Sequence, residues 1–314
     1  MQAIVYTAPL TLELQDVPEP VAAAGEVVVE VRAAGICGSE LEGFKSQSPF
    51  RVPPLIMGHE LAGIRLDSGA AVAVNPLISC RVCDLCLRGL ENLCRTRALV
   101  GIHRAGGFAE RVAVPERCLH EIGELPFELA ALAEPLANAV HALRLAQEHD
   151  PQPARVGVIG AGALGLACAL VAQRIGAAEV VICDLSEERL AAAARAGITT
   201  SQDGLHGEFD VIVDAVGGPA TRRMAAERLR PGGTAVWLGL HAADAGVDGL
   251  DLTRRELRVL GTFAYADRDF RAALALLPAL AVDWTTTAPL SEGIDVFMEL
   301  VAGPGAATKT LLVG

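Results

Sequence analysis

Apolar positions follow two different rhythms along this chain, and the change falls near residue 126. Before it, short β-like runs dominate, at Gln2–Tyr6, Glu26–Ala33, Ala70–Val74 and Glu110–Val114, with Gly and Pro between them. Short runs punctuated in this way predict an antiparallel barrel or sandwich. After it, strand-like and helical patterns alternate. Arg155–Ile159 predicts an apolar strand, Leu164–Arg174 a helix, Val180–Cys183 a strand, and Ser186–Ala196 a helix capped by Ser186. Val211–Ala215 and Thr234–Leu238 are further predicted strands. Such alternation is the signature of a doubly wound parallel sheet. A helix over Asp269–Leu277 then returns the chain to the first domain, and Lys309–Val313 reads as a closing strand. No internal repeat or low-complexity tract interrupts this plan.

Composition narrows the class. The 314 residues suffice for two domains of ordinary size, and 52% hydrophobic with 20% charged residues fits a folded globular chain. A net charge of −12 gives no electrostatic reason to bind nucleic acid or an anionic membrane. The N-terminal Met1-Gln2-Ala3-Ile4-Val5-Tyr6 lacks the basic and apolar segments of a signal peptide, so a cytoplasmic location is expected. The most apolar stretch, Arg155 to Ala172, contains four glycines and reads as strand–turn–helix, not as a membrane span.

Within that stretch, Gly160-Ala161-Gly162-Ala163-Leu164-Gly165 is G-x-G-x-x-G, placed after a strand and opening a helix. The first glycine permits the tight turn, the second close approach of a pyrophosphate, and the third close packing of helix on strand. The phosphates then meet free N–H groups at the positive end of the helix. Asp184 follows about 20 residues on, where an acid accepts bonds from ribose hydroxyls and repels a 2′-phosphate. NAD is therefore expected over NADP. Arg189 either pairs with Asp184, lies over the adenine, or is a plain solvated helix residue.

The chain has eight cysteines, which in this setting suggest metal or redox chemistry and not disulfides. Cys80-x2-Cys83-x2-Cys86-x7-Cys94 places four thiols within fifteen residues, among the polar neighbours Arg81, Asp84, Arg88 and Arg95. Short spacings of this kind wrap a surface lobe around tetrahedral zinc, with an iron–sulfur cluster as the competitor on ligand type. Cys118, Cys168 and Cys183 lie in apolar or strand-like settings and read as buried small hydrophobes.

Gly35-Ile36-Cys37-Gly38-Ser39-Glu40, then Gly58-His59-Glu60-Leu61-Ala62-Gly63, then the cysteine lobe and the glycine fingerprint occur in that order. Gly106-Gly107-Phe108-Ala109-Glu110, Pro231-Gly232-Gly233 and Lys309-Thr310-Leu311-Leu312-Val313 extend the pattern essentially end to end. Together they resemble the zinc-containing medium-chain dehydrogenases, and Glu134-Pro135-Leu136-Ala137 resembles their sorbitol and polyol branch. The resemblance implies an α/β chain: a GroES-like antiparallel β-barrel catalytic domain plus a Rossmann doubly wound parallel sheet. The former covers 1–125 and 267–314, with the structural zinc lobe at 80–94, and the latter covers 126–266.

The resemblance also implies a catalytic zinc held by Cys37, His59 and one or both of Glu60 and Glu134, with one position open. One thiolate, one imidazole and one carboxylate form a plausible catalytic set. It implies Ser39 as a proton-relay hydroxyl and NAD-linked interconversion of a secondary alcohol and its ketone. The substrate would be a small polyol, cyclitol or amino alcohol. A dimer or tetramer is expected, because Val259–Phe263 resembles the family's sheet-pairing edge. Three departures stand out. Glu40 replaces the aspartate that orients the metal histidine, which is expected to loosen that support, and Glu42 replaces a relay histidine. The run after Glu60 is shorter than usual, predicting a trimmed hairpin with Asp67-Ser68-Gly69 at its turn. The competing readings are a zinc-free reductase of the same fold, or a catalytically silent NAD-binding sensor that keeps only structural zinc.

Overall fold

Strand Glu26–Gly35 alternates half-buried with buried positions, with Val27, Val29 and Val31 turned inward, and the first unit is built around it. It pairs antiparallel with Glu60–Arg65, Arg111–Pro115 and Lys309–Val313. The full sheet has seven strands, running from Leu119–Glu121 through Ala71–Val74 and Glu60–Arg65 to Glu26–Gly35, then Lys309–Val313 and Thr285–Pro289. The last two strands run parallel, so the sheet is mixed where the sequence pattern predicts a purely antiparallel one. A three-stranded sheet of Thr11–Asp16, Gln2–Ala8 and Leu55–Ile56 accompanies it. Val29, Leu61, Val72, Phe44, Phe108 and Phe297 fill the core of this unit.

The structure is a computed structural model that describes residues 1–46, 48–280, 282–303 and 308–314. The first unit is Met1–Glu134 with Ala266–Ala279 and Trp284–Gly314; the second is Pro135–Tyr265 with Leu280–Asp283. The stretch 126–134 thus groups with the first unit, because helix Phe127–Ala130 packs on strands Glu26–Gly35 and Glu60–Arg65. No helix among the described residues is long and apolar enough to cross a membrane.

The register of the central pair positions the site. Gly35 lies opposite Glu60, so Cys37, just beyond one strand end, and His59, just before the other, are brought together. Leu311 also pairs with Gly35, and Ile36 donates to the Thr310 carbonyl, which carries Lys309 to the same place. The hairpin from Glu60–Arg65 to Ala71–Val74 is closed by Leu66–Ala70, with Gly69 at φ 75° where a side chain is disfavoured. Arg65 ties that turn down through Asp67 and Glu116.

The second unit is a six-stranded sheet in the order Thr199–Ser201, Glu179–Cys183, Arg155–Ile159, Phe209–Asp214, Leu229–Trp237, Arg258–Gly261. Every pairing is parallel. The winding reverses at Arg155–Ile159, the topological switch point where open α/β sheets bind ligands. Helix Ala163–Arg174 follows directly, and Ser186 caps Glu187–Arg195 by accepting from the Arg189 amide. The predicted elements recur with shifted ends; Leu229–Trp237, for example, starts before Thr234. Helices Gly38–Ser46 and Ala133–Gln147 have no counterpart in the sequence reading.

Candidate metal centres and dinucleotide site

Cys37, His59 and Glu60 present ligand atoms that all lie within 4.8 Å of one another. His59 and Glu60 are buried, while Cys37 is partly open. The His59 Nδ1 is 2.9 Å from Glu40 Oε1, which leaves Nε2 as the ring nitrogen free to bind a metal. Glu40 also accepts from the Gly58 amide and, through Oε2, from the Cys37 amide, each at 2.9 Å. The longer side chain reaches the histidine and clamps both ligand-bearing segments, so the support is retained. Burial works against the His59 imidazolium, but Glu40 and Cys37 raise its pKa well above the ordinary value. The pull of Glu40 on the ring is thus strong.

Glu60 is fully buried, and both its oxygens accept from Lys309 Nζ, at 2.7 and 2.6 Å. Lys309 also donates to the Ile36 carbonyl. Gly35 opposite is what admits this carboxylate, since a Cβ there would sit 2.1 Å from Glu60 Oε2. With both oxygens on Lys309, Glu60 can serve a metal only by sharing them with that ammonium. The Cys/His/Glu donor set suits zinc. Glu134 is also buried, in the first turn of helix Ala133–Gln147, but its carboxylate falls outside this three-residue group.

Ser39 Oγ lies 3.4 Å from Cys37 Sγ and accepts from Arg51 Nη2 at 3.0 Å. Glu42 is exposed and makes no bond to Ser39. The sequence reading missed Arg51, 12 residues from Ser39, and the pairing of Lys309 with Glu60, 249 residues away, because no short motif links either pair.

The four cysteines of the lobe also converge, with all sulfurs within 4.8 Å. Cys80 and Cys94 sulfurs are 3.5 Å apart, Cys80 and Cys86 3.9 Å, and Cys83 and Cys94 4.0 Å. A tetrahedron with Zn–S bonds of about 2.3 Å has edges of roughly 3.8 Å, whereas a disulfide needs about 2.05 Å. The spread fits one ion at a point and not a multi-iron cluster, whose thiolates must stand around a larger body. Burial raises the Cys94 thiol, but the Cys80 amide and the Thr96 hydroxyl and amide outweigh it and lower its pKa to about 6, while burial pushes Cys86 of the same lobe up to about 12. Burial likewise pushes Cys118, Cys168 and Cys183 up to about 11, 12 and 11, as inert core thiols require.

In the second unit, Gly160 has φ 95°, and a Cβ on Gly165 would meet the Gly160 carbonyl at 1.7 Å. Gly162 faces open space, so a ligand can reach its backbone. Gly162 opens helix Ala163–Arg174, whose first-turn amides at Ala163, Leu164 and Gly165 have no earlier carbonyl to bond, and no acid stands in that turn. A diphosphate fits this cradle. Asp184 sits beside it, accepting from the Ala161 amide at 2.7 Å and the Ser186 amide at 2.9 Å, with Arg189 Nη1 at 3.8 Å. Of the three options for Arg189, the geometry shows pairing with Asp184. Asp214, which the sequence reading missed, is fully buried and accepts from Val216, Gly217 and Thr221, fixing the loop after its strand.

Known proteins share this fold and part of this sequence. Residues 23–124 match the alcohol dehydrogenase GroES-like domain and residues 163–279 the zinc-binding dehydrogenase domain. The chain is 33% identical to D-altritol 5-dehydrogenase of Agrobacterium fabrum, with 97% of each chain covered. Among solved structures it superposes on a zinc-binding dehydrogenase from Sinorhizobium meliloti bound to NADP, with TM-score 0.92 and 28% identity over 100% of this chain and 99% of that one. An alcohol dehydrogenase from Escherichia coli CFT073 complexed with NADH gives TM-score 0.90 and 26% identity at the same coverage. The chain belongs to the zinc-binding medium-chain alcohol and polyol dehydrogenases. It is an oxidoreductase acting on alcohols, with a GroES-like unit and a Rossmann unit.

Proposed function

We propose that this chain is a zinc-dependent, NAD-linked dehydrogenase that interconverts a secondary alcohol of the polyol class and its ketone. The observation that carries the reading is the convergence of Cys37, His59 and Glu60, with His59 turned by Glu40. When bound there, zinc supplies the Lewis acidity that lowers an alcohol's pKa toward neutrality. Cys37, His59 and Glu60 hold the ion, and Glu134 is the alternative carboxylate. Lys309 restrains Glu60 through both oxygens. Ser39 receives the alcohol proton at Oγ. Its cationic neighbour Arg51 has no lone pair to receive it in turn, so the onward acceptor is water. The amides of Gly162, Ala163, Leu164 and Gly165 would hold the diphosphate of a nicotinamide cofactor, which would supply the hydride chemistry.

Asp184 supports NAD over NADP, since a carboxylate beside the cradle repels a 2′-phosphate. Cysteines spaced for metal binding and not for disulfides support a cytoplasmic setting. Cys80, Cys83, Cys86 and Cys94 hold a second, structural zinc. Metal analysis tests the reading together with NADH formation over a panel of secondary alcohols. Two zinc ions per chain and activity lost on Cys37→Ala are expected; one zinc with no turnover returns the silent-sensor reading. Comparing Glu60→Gln with Glu134→Gln for loss of the catalytic ion decides between the carboxylates. Asp184→Ala is expected to raise the KM for NAD about tenfold and to narrow the preference over NADP.

A further inference from the structure

Arg51 is only 7% exposed, yet it forms no ion pair among the described residues. Among the described residues its side chain makes one hydrogen bond, from Nη2 to Ser39 Oγ, and Nε is buried with no partner. Arginine carries five N–H donors and is almost never buried unless a negative group faces it. The two nearby carboxylates are committed elsewhere: Glu40 to His59 and the Cys37 and Gly58 amides, Glu60 to Lys309. The fold also makes room for this guanidinium. Gly43, on helix Gly38–Ser46, is buried against it, and a Cβ there would lie 2.9 Å from Nη1. A single hydroxyl, that of Ser39, separates the guanidinium from the candidate metal ligand Cys37.

We propose that Arg51 is the subsite for an oxyanion carried by the substrate, so that the natural secondary alcohol bears a carboxylate or phosphate close to its carbinol carbon. This rests on the dehydrogenase reading above and names its substrate class. A planar guanidinium with free N–H groups offers the fork that carboxylate and phosphate oxygens fit. With a neutral polyol the guanidinium faces only the charge of Glu40, whose oxygens are already bonded to His59 and the Cys37 and Gly58 amides, and its own free N–H groups stay unbonded. An oxyanion satisfies it and fixes which hydroxyl faces the metal ligands. The sequence carries no cluster of basic residues to announce such a site; one enclosed arginine suffices where water is largely excluded.

The test uses the zinc-loaded enzyme with matched six-carbon substrates: an alditol, the aldonate and the alditol phosphate. For the wild type, kcat/KM for one of the two anions should exceed that for the alditol about 100-fold, and which anion wins identifies the group. Arg51→Met should reduce that anion-to-alditol ratio about 100-fold, mainly through KM, and Arg51→Lys by less, since it keeps charge without the fork. The ratio discounts any loss that all substrates share through Ser39. Circular dichroism checks the fold of each variant. Calorimetric titration with the aldonate and with inorganic phosphate gives a second readout independent of turnover, with binding expected in the wild type and absent in Arg51→Met. A wild type that prefers the alditol, or a ratio unmoved by Arg51→Met, overturns the subsite. Binding of neither anion does the same. Arg51-dependent anion binding without oxidation of any alcohol would instead sustain the subsite and remove the dehydrogenase reading.

Discussion

At the scale of single residues, the buried Lys309–Glu60 pair is the clearest case of a charge held for position and not for net stability. Taking both ions out of water costs about what their attraction returns, so the pair as a whole contributes little. Breaking it is different. Lys309→Met strands a fully buried carboxylate and is expected to destabilise the chain by roughly 3 kcal/mol, read from urea unfolding. Adding Glu60→Gln should recover much of that loss, a coupling that only direct contact produces. Full additivity of the two variants would show the pair is not formed. These residues also mark where sequence reading stops. Cys37 and His59 are legible because they stand in short motifs. Lys309 reads as the first residue of an apolar strand, and 249 positions separate it from Glu60. Arg51 likewise looks like an ordinary charge in a Pro-rich run, since nothing in its neighbourhood reveals that it is buried.

At the scale of elements, the helix Asp267–Leu276 begins on a carboxylate that faces His120 and Arg271. Burial disfavours the Asp267 carboxylate, but His120 and Arg271 more than offset this and hold its pKa well below the ordinary range. A depressed acid stabilises the fold above its unfolded pKa of about 3.9 and loses that contribution as pH falls toward the folded value. Asp267→Asn should therefore cost about 1–3 kcal/mol at pH 7. The gap to the wild type should close as the pH is lowered below about 4; a constant gap across that range would mean the charge is not the cause. The cysteine lobe is a second element with a separable prediction. Its short helix Asp84–Leu87 and turn Glu91–Leu93 are too small to hold themselves. Cys94→Ser is expected to lower the zinc content from two ions to one and to open this segment to proteolysis. Zinc content unchanged in Cys94→Ser would remove the structural site. The lobe was legible through four-thiol spacing alone. The strands Leu55–Ile56, Leu77–Ile78 and Ala98–Leu99 were not, because two residues carry no periodicity.

At the scale of the whole molecule, the parallel unit was easier to anticipate than the first. A strand covered by helices on both faces is a continuous apolar run, and the glycine fingerprint fixes where its first turn lies. The mixed sheet of the first unit depends on Lys309–Val313 returning to Glu26–Gly35, a long-range pairing that no local pattern encodes. The same topology leaves one consequence open to test. Arg258–Gly261 is the edge of the six-stranded sheet, with Val259 and Leu260 half-buried and, among the described residues, no further strand pairing its outer row of backbone donors and acceptors. Such an edge in a stable protein is normally shielded or paired. Pairing with the same strand of a second copy would continue the sheet across a two-fold axis, as a self-complementary interface requires. We therefore expect a dimer, or a tetramer built from such dimers. Leu260→Lys should shift the chain toward monomer in light scattering at micromolar concentration while leaving zinc content unchanged. A wild type that is monomeric across that range, or a variant that assembles as before, would rule this edge out as the contact.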